Sequence, residues 1–296
     1  MKNTVFTGAA TAIVTPMNEK GVDYTTYERL IEWQISEGID AIVAAGTTGE
    51  GPTLTDEEHR ELLKFTVDKV AGRVPVIAGT GSNDIAYAID LTKFACDIGA
   101  DGMLLVTPYY NKATQGGLIK SFTAVADAST KPCILYNVPS RTGCNLTAES
   151  CAVLADHPNI CAIKEASGNI SQIAKIAQLT EGKMDIYSGN DDQIVPVLSL
   201  GGKGVISVLS NLLPKETSEM CHAYMRGDVQ KSLRMQLDYL DLIDALFCEV
   251  NPIPVKAAMA ALGYGENYLR LPLTPMEEDH AKKLYALMEK AGLKLI

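Results

Sequence analysis

One lysine ends a short apolar run, Ile160-Cys161-Ala162-Ile163-Lys164, after which the chain breaks into the small polar turn Ala166-Ser167-Gly168-Asn169. The run has strand length, and such a turn is how a buried parallel strand gives way to a loop and helix. Burying an ammonium in apolar surroundings is costly, so a lysine there favours its neutral amine, a nucleophile towards carbonyl carbon. Lys164 is therefore a candidate Schiff-base residue. The competing reading has it snorkel out of the strand end or pair with the adjacent Glu165.

Other strand-end residues suit the same chemistry. Tyr136 closes the apolar run from Cys133, and its phenol can relay protons to a carbonyl or carbinolamine, or else simply be a core aromatic. Gly46-Thr47-Thr48-Gly49-Glu50 offers hydroxyls and backbone N–H groups just before a helix, a turn able to hold a carboxylate or merely to link strand and helix. Arg141 lies in a Pro- and Gly-containing loop, where its fork suits a substrate carboxylate or a surface ion pair. Tyr109-Tyr110 after Pro108 reads first as packing or an oligomer contact. An amine, a carboxylate-holding turn and a phenol, without metal-ligand spacing, describe a class I aldolase-type site for a 2-oxo acid.

The elements that must position these groups repeat eight times. Apolar strand-like segments at 9–15, 41–45, 74–78, 102–106, 133–136, 160–164, 185–188 and 204–208 are each followed by a turn and, up to residue 200, by a helical pattern. The helix starts include Thr55-Asp56-Glu57-Glu58, a capping box. Eight such units predict a closed parallel (β/α)8 TIM barrel over residues 1–225, with its site at the C-terminal strand ends. An open doubly wound sheet is weakened by the lack of a GxGxxG turn after the first strand. From residue 226 only helical patterns remain, including an amphipathic run Gln230 to Phe247 and a last helix expected to be capped by Thr274. Residues 226–296 thus read as a C-terminal helical appendage.

Composition bounds the partners. With 26 Lys+Arg against 36 Asp+Glu, the net charge of −10 and lack of a basic cluster argue against nucleic acid or an anionic membrane, and an anionic substrate must be held by local groups. No apolar run reaches the ~18 residues that span a bilayer, and the N-terminal segment lacks the apolar core of a signal peptide, so a cytoplasmic location is expected. Seven scattered cysteines without CxxC spacing fit reduced thiols, and the four histidines lack metal-site spacing.

Five motifs occur in order: Gly46-Thr47-Thr48-Gly49-Glu50, Tyr109-Tyr110-Asn111, Tyr136-Asn137-Val138-Pro139-Ser140-Arg141-Thr142-Gly143, Ile163-Lys164-Glu165-Ala166-Ser167-Gly168 and Ser188-Gly189-Asn190-Asp191. Together they resemble the dihydrodipicolinate synthase family of pyruvate-dependent class I aldolases, which includes the N-acetylneuraminate lyases, over essentially the whole chain. The resemblance implies that Lys164 forms an imine with pyruvate and needs no separate cofactor. The derived enamine would attack the aldehyde of aspartate 4-semialdehyde, and cyclisation would give 4-hydroxy-tetrahydrodipicolinate, a step of diaminopimelate and lysine biosynthesis.

The same resemblance implies that Tyr136 carries protons, with Thr47 linking it to Tyr110 from the adjacent subunit of a tight dimer, two such dimers forming a homotetramer. It gives Thr48 the pyruvate carboxylate and Arg141 that of the second substrate, with the backbone at Gly189 and Ile206 lining the pocket. Arg141 follows Tyr-Asn-Val-Pro-Ser as in the synthases, whereas the lyases lack an arginine there. A sugar-acid lyase, for N-acetylneuraminate or a 2-keto-3-deoxy acid, is the runner-up, and a non-catalytic acid-binding barrel is the third reading. His59, Asn83 and Tyr109 match an allosteric lysine site of the family, but Tyr87 stands where sensitive members carry glutamate and Asp56 where some carry histidine. Weak or missing feedback inhibition is therefore expected.

Overall fold

A computed structural model describes residues 4–296; Met1, Lys2 and Asn3 of the N-terminal segment lie outside the described residues. Eight strands form a closed parallel barrel: β1 (Gly8–Ala12), β2 (Ala41–Ala44), β3 (Val76–Gly79), β4 (Gly102–Val106), β5 (Cys133–Asn137), β6 (Ile160–Glu165), β7 (Asp185–Ser188) and β8 (Gly204–Ser207). Each strand pairs with its sequence neighbours, and β8 closes on β1 through Gly8 opposite Gly204. Apart from half-buried Val106 and Asp185 every strand residue is buried, which is why the strands read as apolar runs rather than alternating ones.

The two faces of the strands fill two cores. Ala10, Val43, Ile77, Leu104, Ile134, Ala162 and Ile206 fill the interior, while Ile42, Met103, Leu135, Ile163 and Val205 meet the surrounding helices. Each large aliphatic side chain so buried contributes about 1.5–3 kcal/mol relative to exposure. Phe6, just before β1, stacks on Tyr187 of β7 with ring centroids 4.2 Å apart and accepts the Tyr187 hydroxyl at its carbonyl, 2.6 Å. This closes the N-terminal end of the barrel.

The barrel helices begin where side chains satisfy their free N–H groups. Asp23 caps Tyr24–Ser36, Thr55 and Glu58 form the expected capping box on Asp56–Val70, and Asp84, Thr114, Thr147 and Asn169 cap four of the later ones. The helix expected after β7 divides into a 3-10 turn, Asp191–Gln193, and an α-helix, Ile194–Ser199. The last barrel helix, Pro214–Met225, packs against β1.

Four helices follow: Val229–Asp238, Leu240–Leu246, Ile253–Ala261 and Glu278–Lys290. Two expectations are corrected here. The amphipathic run from Gln230 breaks at Tyr239, whose φ of −95° and ψ of 0° lie outside the helical region. Thr274 does not cap the last helix: Met276 is buried, and Glu249 takes the N–H of Glu277 at 3.0 Å and Nδ1 of His280 at 2.7 Å. A remote side chain thus does what a local threonine was expected to do. Arg270 ties this region to the barrel by a two-pronged bond to Glu58 at 2.5 and 2.6 Å, and holds that carboxyl down to about 2.

Candidate active site

Tyr136 and Lys164 sit directly opposite each other on β5 and β6, so both side chains face the barrel interior. Lys164 Nζ lies 4.4 Å from the centroid of the Tyr136 ring, and Lys164 is 6% exposed. It does not snorkel. Nor does it pair with Glu165, because successive strand residues point to opposite faces and the Glu165 carboxylate is taken outside the barrel. There it accepts from Ser167 N–H at 2.7 Å, Asn137 Nδ2 at 3.0 Å and Gln172 Nε2 at 3.0 Å. Among the described residues no carboxylate forms an ion pair with Lys164. An amine buried against an aromatic ring and lining a cavity is placed to add to a carbonyl.

Gly189 gives the lysine its room. A Cβ at this position would lie 3.0 Å from Lys164 Cε and 2.6 Å from Ala166 Cβ, so a side chain would push the lysine from its place. Two residues further on, Asp191 is fully buried, and its Oδ2 accepts from the N–H groups of Val208 and Leu209 at 2.9 and 3.0 Å. This fastens the ends of β7 and β8 together. Burial pushes the Asp191 carboxyl above its ordinary range, while the Ser207 hydroxyl and those backbone bonds oppose the shift.

Thr47 and Thr48 sit on a turn entered through Ala45, whose φ of 53° is left-handed. Thr48 is buried, and its hydroxyl oxygen accepts from Asn251 Nδ2 at 3.0 Å, which leaves its own O–H free to donate. The backbone carbonyl of the same asparagine accepts from Arg141 Nη2 at 3.0 Å. Asn251 is the site residue that sequence reasoning missed. It precedes Pro252 in a segment between helices, some 200 positions from Thr48, and no local pattern announces such a contact. Asn251 Oδ1 is buried without a hydrogen-bond partner among the described residues.

Arg141 belongs to a short helix, Pro139–Thr142, that sequence reasoning took for a loop. Pro139 opens it and Gly143 ends it with a φ of 65°, holding the exposed arginine at the rim. A cavity of about 150 Å³ is lined by Thr47, Thr48, Tyr136, Arg141, Lys164 and Gly189. A second of about 590 Å³ shares Thr47, Tyr136 and Arg141 and continues to His59, Tyr87 and Tyr109. Ile206 lies within the barrel interior, and Val208, two residues on, lines the smaller cavity. Tyr110 is 92% exposed with a φ of 70°, outside both cavities of its own chain.

In the larger cavity, His59 is buried and its Nε2 bonds the Gly79 carbonyl at 2.9 Å. Burial keeps the imidazole below its ordinary range. Asp56 is bound by Arg60 Nε at 2.9 and 3.0 Å, and the Tyr87 phenol lies close to it. Burial and the nearby Asp56 carboxylate push the Tyr87 phenol up to about 12, so it stays neutral. Asn83 offers its backbone carbonyl to Asn111 Nδ2 at 3.0 Å.

Comparison with known proteins gives the family. Residues 5–291 match the model of the dihydrodipicolinate synthetase family. A 4-hydroxy-tetrahydrodipicolinate synthase from Alkaliphilus oremlandii is 54% identical over 289 residues, 98% of this chain and 100% of the relative. Among solved structures, dihydrodipicolinate synthase from Acinetobacter baumannii in complex with pyruvate is 44% identical, with a TM-score of 0.96 over 98% of this chain and 100% of that one. A monomeric dihydrodipicolinate synthase variant is 42% identical, with a TM-score of 0.96 over 98% of each chain. The buried lysine facing a tyrosine across two adjacent barrel strands is thus the centre of a chain that belongs to the dihydrodipicolinate synthetase family.

Proposed function

We propose that the chain condenses pyruvate with L-aspartate 4-semialdehyde to 4-hydroxy-tetrahydrodipicolinate through an imine on Lys164, in diaminopimelate and lysine biosynthesis. The observation that carries this reading is the buried Lys164 amine, unpaired with any described carboxylate and facing Tyr136 at the mouth of a barrel. Lys164 Nζ adds to C2 of pyruvate, and the carbinolamine loses water to give the imine. A proton leaves C3 to form the enamine, whose carbon attacks the aldehyde. The amino group of the second substrate then adds to the imine carbon, which closes the ring and expels the lysine amine. Tyr136 carries protons through these steps, and the iminium nitrogen is the electron sink, so no separate cofactor is used.

Thr48 and nearby backbone N–H groups hold the pyruvate carboxylate, and the Arg141 fork holds that of the aldehyde substrate. Arg141→Ala should raise KM for aspartate 4-semialdehyde about tenfold to a hundredfold, the cost of a charged hydrogen bond, and change KM for pyruvate little. Steady-state kinetics with each substrate varied checks this. The same assay separates the sugar-acid lyase: efficient cleavage of N-acetylneuraminate or a 2-keto-3-deoxy acid, without turnover of aspartate 4-semialdehyde, would overturn the synthase reading.

The exposed Tyr110, held in a left-handed conformation, suits a reach into the site of a second subunit, with Thr47 linking it to Tyr136. We place the chain in a homotetramer of two tight dimers, in the cytoplasm; no described helix is long and apolar enough to cross a membrane. L-Lysine is expected to inhibit weakly or not at all. Asp56 is already paired with Arg60, and Tyr87 offers a neutral phenol where a carboxylate would pair with the ammonium. Titration of L-lysine into the assay decides this, an inhibition constant in the low micromolar range being the contrary result.

A further inference from the structure

One buried ion pair lies outside the chemistry described so far. Lys256, on the helix Ile253–Ala261, donates to Glu50 Oε1; the side chains are 2% and 0% exposed. Glu50 Oε2 also accepts from the Arg270 N–H at 3.3 Å, and Arg270 Nη1 donates to the Thr53 carbonyl at 2.8 Å. Burial draws the Lys256 ammonium below its ordinary range, and the Glu50 charge opposes that. A pair taken wholly out of water seldom stabilises a fold more than apolar residues of the same shape would. Its use must therefore be sought in what it fixes.

What it fixes is the end of the turn that carries the two threonines. Glu50 has φ 54° and ψ 33°, a left-handed conformation that costs any residue but glycine. Its N–H donates to the Thr47 carbonyl at 3.1 Å, and the next N–H, of Gly51, donates to the Gly46 carbonyl at 3.2 Å. The turn therefore exists in this shape only while Glu50 stays left-handed. Such conformations persist where the surroundings impose them, and here the imposition is a carboxylate drawn down to a buried ammonium. The segment presenting Lys256 also presents Asn251, whose amide donates to Thr48 Oγ1 at 3.0 Å. One stretch of the C-terminal region thus grips the turn at Thr48 and again at Glu50.

We propose that Lys256, through its ion pair with Glu50, is a positioning residue that holds the Thr47–Thr48 turn in the shape that receives the 2-oxo acid carboxylate. The proposal rests on the reading of Thr48 as the carboxylate holder and Lys164 as the imine residue. Two full-length double variants test it, both free of unpaired buried charge. In Glu50→Ala/Lys256→Met the left-handed residue carries a Cβ and has lost its tether; in Glu50→Gly/Lys256→Met glycine adopts that conformation without strain.

The readout is the pyruvate concentration that half-saturates the borohydride-trapped adduct on the Lys164 peptide, measured with KM for each substrate and the melting temperature. The alanine pair should raise the half-saturating concentration about tenfold or more, while the glycine pair stays within about threefold of the parent. KM for the aldehyde substrate should move little in either. Equal impairment of both pairs, or an alanine pair that melts lower yet captures pyruvate like the parent, overturns the proposal. Absence of any adduct on Lys164 in the parent overturns the imine reading and the proposal together.

Discussion

Lys164→Ala will yield no pyruvyl adduct after borohydride reduction, and condensation will fall by about 10³-fold or more, the order lost with a covalent nucleophile. The reason is geometric as well as chemical. Lys164 supplies the amine at this interior position, and the phenol of Tyr136 beside it is not a substitute nucleophile for forming an imine. Mass mapping of the reduced parent should place the adduct on the peptide containing Lys164. A parent labelled at another lysine, or a variant still labelled at full stoichiometry, would remove the basis of the mechanism. An unchanged melting curve separates loss of chemistry from loss of fold.

Tyr136→Phe should behave differently. The ring that lines the cavity beside Lys164 is kept and only the proton-carrying hydroxyl is lost, so kcat should drop by about 10²- to 10³-fold, the usual share of a general acid–base group. Pyruvate capture should be slower yet still reach the same end point, because the amine is untouched. Single-turnover trapping over time distinguishes this from a packing role. If the tyrosine were only a wall of the barrel, the phenylalanine variant would form and process the adduct at the parental rate.

The barrel was legible because its evidence is local. A strand buried on both faces is mostly apolar, and the strands Gly102–Val106 and Asp185–Ser188 lie where the sequence places them. The capping box at Thr55 was readable for the same reason. Lys164 and Tyr136 could be found as polar residues ending apolar runs, and strand register then brings them face to face. The remainder depends on contacts that no short window contains. Asn251 meets Thr48 and Arg141 only once the C-terminal segment folds back over the rim, and Lys256 meets Glu50 in the same way. Thr274 looked like a cap because its neighbours fit the pattern, yet Glu249 from elsewhere had taken the bonds.

The bond between Asn251 and Thr48 has a consequence for the order in which the molecule comes alive during synthesis. The ring of strands cannot shut until Gly204 has left the ribosome to meet Gly8, and the grip on Thr48 must wait for a further stretch of nascent chain. A growing polypeptide therefore carries Lys164 well before the barrel that buries it can close. The site is thus among the last features of the chain to be completed, although its lysine is made early.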